Sequence, residues 1–172
     1  MATHTVSREQ IEVYRFPVAV AVAVPLAALL LQRFLPLYFP WLAMFDLPLL
    51  VTIYFGMARR NQISGLLTGG VIGLMQDSLT HQPIGLYGIA KTVVGYGASS
   101  LGVKIDVENP GSRMLVTFGF YLLHQVIYFA VARGLAGEVM FWRWGHQAIA
   151  AIANAALGLL LYTALDRLRQ RT

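Results

Sequence analysis

Apolar stretches, each about as long as a bilayer is thick, recur along this 172-residue chain, and no other feature of the sequence restricts its fold as tightly. A hydrocarbon layer of ~30 Å is crossed by ~20 helical residues, because a helix satisfies its own backbone donors and acceptors where water cannot. Six stretches are read on this basis: 16–35, 43–58, 63–79, 84–103, 114–132 and 147–165. They take up about two thirds of the chain and leave only short connections between them. The expected fold is therefore all-α, a polytopic integral membrane helical bundle of six transmembrane helices in one membrane domain over residues 1–172. Hydrophobic residues at 57% against 12% charged fit that class. The first stretch has Glu9 and Glu12 ahead of it and further spans behind it, so it reads as a retained span rather than a cleaved leader. Pro25 predicts a kink at its middle. The second stretch is short and flanked by Pro36, Pro40 and Trp41; if it dipped in and returned, the count would fall to five.

The net charge of +5 suggests nucleic acid until the positions of the cations are considered. They sit at the ends of apolar runs, where they set orientation. With both termini placed in the cytoplasm, the inner face holds Arg8, Arg15, Arg59, Arg60, Lys104, Arg113, Arg167, Arg169 and Arg171, against Arg33, Arg133 and Arg143 outside. Phe34, Tyr38, Phe39, Trp41, Tyr87, Phe141, Trp142 and Trp144 gather at the outer level, as an aromatic belt would. No nucleic-acid partner is expected. Cysteine is absent, which excludes disulfides and thiolate chemistry.

The third and fourth stretches carry the unusual residues. Gly65, Gly69 and Gly73 recur every fourth position, Gly70 widens their face, and Gly88, Gly95, Gly97 and Gly102 follow in the next span. Such a surface lets a second backbone approach closely. It serves either packing between the two spans or reception of a partner's transmembrane helix. Asp77 ends the third span, Lys91 lies about seven residues into the fourth, and Asp46 begins the second at the same outer level. Ionised groups inside a bilayer cost at least ~2.5 kcal/mol each. Asp77 and Lys91 are expected to meet as an ion pair fixing the hairpin, with proton or ion handling as the alternative use.

Deeper still lie His124 and Gln125 in the fifth span and Asn154 in the sixth, and a hydrogen bond between His124 and Asn154 is expected to act as packing glue. His4, His81 and His146 lack the spacing of a metal site. No nucleophile with an adjacent base, paired-carboxylate site or phosphate loop is found, so neither enzyme activity, a metal nor a cofactor is expected. Lys104 to Arg113 reads as a polar connection with Asn109-Pro110-Gly111 as a turn.

The order of these signals, Asp46-Leu47-Pro48, then Arg59-Arg60, then GLLTGGVIGLMQDSLTHQPIGLYGIAKTVVGYGASSLG from Gly65 to Gly102, resembles the MreD family of rod-shape-determining membrane proteins. Gly73, Asp77, Pro83, Gly85, Leu86, Gly88, Gly95 and Tyr96 match that family's core pattern, while Lys91 departs from it. The resemblance implies a multi-pass protein of the bacterial inner (cytoplasmic) membrane that binds MreC through its transmembrane helix and periplasmic stem. Through MreC it would be tied to MreB, RodA and a class B penicillin-binding protein. It also implies a fold similar to the S-component of energy-coupling-factor transporters, which makes capture of a small solute the chief rival function.

Overall fold

The computed structural model describes residues 16–105, 109–137 and 141–168. Among these residues six α-helices follow one another: α1 (Val18–Tyr38), α2 (Leu47–Arg59), α3 (Gln62–Thr80), α4 (Leu86–Gly102), α5 (Pro110–Gly134) and α6 (Trp144–Asp166), with a short 3-10 segment at Pro40–Met44 between the first two. No strand occurs among the described residues. Each expected span maps onto one helix in order. Four stretches are long and apolar enough to cross a membrane: Val18–Tyr38, Pro40–Arg59, Pro110–Gly134 and Trp144–Asp166. The other two helices are not among them, since α4 has only 17 residues and α3 is diluted by glycines and by Gln62, Ser64, Thr68, Gln76, Asp77, Ser78 and Thr80.

The second span differs most from its reading. It is broken rather than continuous: the 3-10 segment ends at Met44, and α2 starts afresh behind Asp46, which caps it by accepting the Leu49 amide at 3.0 Å. Pro48 falls in the first turn, where its missing N–H costs nothing. Only 13 residues long, α2 is buried at every position from Pro48 to Ala58, so it forms the axis of the bundle with the other helices packed around it. Its Leu49, Leu50, Ile53 and Phe55, with Leu29, Val94, Ala98, Tyr121 and Tyr162, make the main core. Phe16, just ahead of α1, closes one end by edge-on contact with Tyr54 and Phe55.

The connections are tight and locally specified. Arg60 ends α2 with φ of 53° and His81 ends α3 with φ of 56°, left-handed helix stops made by residues other than glycine. Asn61 then caps α3 by accepting the Ser64 amide at 3.0 Å. The Asn109-Pro110-Gly111 turn is instead a helix start: Asn109 accepts the Gly111 amide at 2.8 Å and Pro110 occupies the first helical position. Pro25 and Pro36 both lie inside α1. Among the cations counted for the inner face, Arg8, Arg15, Arg169 and Arg171 lie outside the described residues.

Candidate functional site

The glycines of α3 are spent on α4. A Cβ at Gly65 would fall on Ser99 and the Gly95 carbonyl, one at Gly69 on the Lys91 carbonyl, and one at Gly73 on the Tyr87 carbonyl. Gly95 is equally closed by the Gly65 carbonyl. The two backbones therefore touch at successive turns along the length of both helices, which is the tightest approach two helices can make. On the other side α2 joins them: a Cβ at Gly56 would lie 3.0 Å from that of Ala98, and one at Gly102 only 2.5 Å from the Met57 carbonyl. Of the two uses expected for this surface, packing within the chain is the one realised. Gly65, Gly69, Gly73 and Gly95 cannot also receive a partner helix.

Asp77 and Lys91 each find a different partner from the one expected. Asp77, with no exposed surface, turns its carboxylate onto the start of α4 and accepts the amides of Gly85 at 2.8 Å, Tyr87 at 2.9 Å and Gly88 at 3.1 Å. These are donors that a helix start leaves unpaired, and the positive end of the helix dipole favours an anion there. Gly85 can bend into this arrangement because its φ is +108°. The Gly85 and Gly88 positions are thus structural, and the acid is bound by backbone instead of by a cation.

Lys91 reaches across to Asp46 at the start of α2. Its ammonium donates to Asp46 Oδ2 at 2.7 Å and to Oδ1 at 3.0 Å, stands 3.4 Å from His124 Nε2, and lies 5.1 Å from the centre of the Tyr87 ring. Lys91 and His124 are both inaccessible to solvent. The Asp46 backbone amide donates to Asn154 Oδ1 at 2.9 Å, and Asn154 Nδ2 donates to the carbonyls of Met44 and Ala150. Asn154 therefore holds the corner ahead of α2 and makes no bond to His124, which stacks on Tyr87 instead. One ion pair with its neighbours joins α2, α4, α5 and α6. Since the lysine and the acid saturate each other, the cluster acts as a neutral tie within an apolar core.

A second tie closes the opposite end. Arg113 at the start of α5 pairs with Asp166 at the end of α6 at 2.6 Å, Tyr54 donates to the same carboxylate at 3.0 Å, and Thr117 meets Tyr162 at 3.0 Å. Tyr96, the remaining residue of the expected set, is exposed on α4 and belongs to neither tie.

The sequence reading singled out Gln125 but missed the three amides that join it. Gln32, Gln76, Gln125 and Gln147, from four different helices, line one cavity of about 200 Å³ beside Asp46, Tyr87 and Tyr121. Each glutamine lies within an apolar helix or at its end, without a periodic pattern, so only the recurrence of one residue type near the same level was available as a signal. Comparison with protein families, with curated proteins and with solved structures finds no match to this chain.

Proposed function

We propose that this protein is a non-enzymatic membrane scaffold of the cell-elongation machinery, resembling MreD in role as its motifs resemble MreD in sequence. All six helices cross the bilayer in this reading. At 1.5 Å per residue α4 is about 25 Å long, which is short for a lipid-facing span but adequate for a helix paired along its length with α3 and shielded by α2. Both termini then lie in the cytoplasm, and the Asp46–Lys91 level lies toward the outer face.

The observation that carries the proposal is that the glycine surface and the buried charges are used up internally, which makes α2, α3 and α4 a rigid block. A rigid block with apolar flanks suits the positioning of partners, which acts by raising their effective concentration in the membrane plane. The partner helix, that of MreC in this reading, has to dock elsewhere than on the glycines. An apolar groove of about 390 Å³ runs between α1 and α3, lined by Val22, Pro25, Leu26, Leu67, Val71 and Met75. Single tryptophans at Val22 and Leu67 fill that groove without touching the core. Either is expected to cut co-purification of MreC at least fivefold while the protein remains folded. Undiminished recovery would remove the groove from the proposal, and co-purification with an ATPase pair in place of MreC would replace the scaffold by solute capture.

A further inference from the structure

The polar cavity of about 200 Å³ beside Asp46 lies at the end of the bundle where α1 finishes and α2 and α6 begin. Its walls run from Ala43 and His146, both exposed, to Tyr121, midway along α5. Eight of its eleven wall residues carry a polar side chain. Apolar cavities of this size stay dry, but a polar one needs only ~10–15 Å³ to hold a water. This cavity offers many times that.

Asp46 is the part of the buried ion pair that faces this space. Its side chain keeps 10% of its surface accessible, while that of Lys91 has none. Among the described residues Asp46 Oδ2 accepts a hydrogen bond only from Lys91, so a lone pair is left for water. Beyond Asp46, Leu49, Leu50 and Ile53 of α2 are inaccessible and close the way through the bundle. The length of α2 fits this arrangement. About 20 Å separates Asp46 from the far end of α2, roughly 10 Å less than a hydrocarbon layer, and water standing above Asp46 makes up the difference.

We infer that this cavity is an aqueous crevice: it opens beside His146, admits water and small hydrophilic solutes to mid-bundle depth, and has the Asp46–Lys91 pair as its floor. The head of α2 therefore meets water and not lipid. This inference does not rest on the scaffold role; it requires only that the bundle lie in a bilayer.

The chain has no cysteine, so single cysteines report without background. The probe is the membrane-impermeant 2-(trimethylammonium)ethyl methanethiosulfonate, applied to the full chain in phosphatidylcholine nanodiscs. It reacts with the thiolate, which forms in water and not in hydrocarbon. Two pairs of chain neighbours set the crevice against lipid. Gln76 is 4% exposed and Met75 37%, while Gln125 is partly covered and Val126 is 49% exposed. Exposure on the bundle alone would rank both pairs the other way. Gln76→Cys and Gln125→Cys are expected to be modified at least tenfold faster than Met75→Cys and Val126→Cys. Thr52→Cys, on α2 beyond Asp46 and 1% exposed, should be at least tenfold slower than Gln125→Cys. Equal rates within each pair would overturn the inference, as would Thr52→Cys reacting as fast as Gln125→Cys, because the opening would then run past Asp46. Monodisperse elution before labelling and complete labelling in dodecyl sulfate show that a variant is folded and its thiol intact, so a slow rate at position 76 or 125 counts against the crevice. Either pair suffices if a variant of the other fails to fold.

Discussion

Lys91 and Asp46, 45 residues apart in the chain, meet at 2.7 Å in a part of the bundle that solvent does not reach. The contact pins the start of α2 to α4, and His124 and Asn154 extend it to α5 and α6. Removing one partner strands the other charge in an apolar core. Lys91→Met is expected to cost about 3–5 kcal/mol, read as a large fall in the thermal midpoint of the purified protein in detergent. In the double variant Asp46→Asn/Lys91→Met no charge is left over, and asparagine still caps α2. Most of the loss should return. A double variant as unstable as Lys91→Met alone would show that the pair does more than neutralise itself.

Asp77 has three backbone donors and, among the described residues, no ion-pair partner. Asp77→Ala leaves them unpaired at a helix start and should cost about 2 kcal/mol or more. Asp77→Asn keeps an acceptor oxygen and should cost roughly half as much. The measurement is again the thermal midpoint.

The glycines divide into two kinds. At Gly69 and Gly73 a methyl group would collide with α4 backbone, whereas at Gly119 on α5 nothing lies within 4 Å. Gly69→Ala and Gly73→Ala should each cost at least the ~1–3 kcal/mol of ordinary overpacking, because backbone cannot rotate away as a side chain does. Gly119→Leu should be neutral within ~0.5 kcal/mol. Monodisperse elution on size exclusion together with the thermal midpoint separates the two classes.

Asp166 joins Arg113 and Tyr54 at the far end of the bundle. Asp166→Asn removes the charge and leaves one acceptor oxygen for the two donors, Arg113 and Tyr54, so a loss of about 1–2 kcal/mol is expected. High salt should not reproduce it, since screening acts weakly on buried pairs. A loss mimicked by salt would mean that the pair opens to solvent.

The helices were legible in the sequence because run length and flanking charge alone define them: Arg59 and Arg60 stop α2, and Lys104 follows α4. The break before α2 was also written there, in an Asp46 cap followed by Pro48, but an apolar run on both sides masks such a signal. The choice of partner for Lys91 was not legible. Sequence places Asp46 and Asp77 at similar depth, and only the packing of α2 against α4 decides between them. Asp77 illustrates the same point in reverse, since a carboxylate just before a glycine-bearing turn is as well suited to a helix start as to a salt bridge. The glycine spacing did announce a close helix pair, while its destination depended on which neighbour arrived at that face.

An α2 wrapped on all sides has a consequence for how the chain enters the bilayer. Thirteen residues span about 20 Å, so α2 reaches a crossing length only together with the Pro40–Met44 turn ahead of it, and an aspartate between the two adds to the difficulty until Lys91 is available. The second helix to be synthesised thus depends on the fourth, fifth and sixth for its shelter. Nascent chains cut after α3 should be cleared by membrane proteases, while pulse-labelled chains that include α6 should survive, the outcome expected if α2 is settled in the bilayer only once the later helices have arrived.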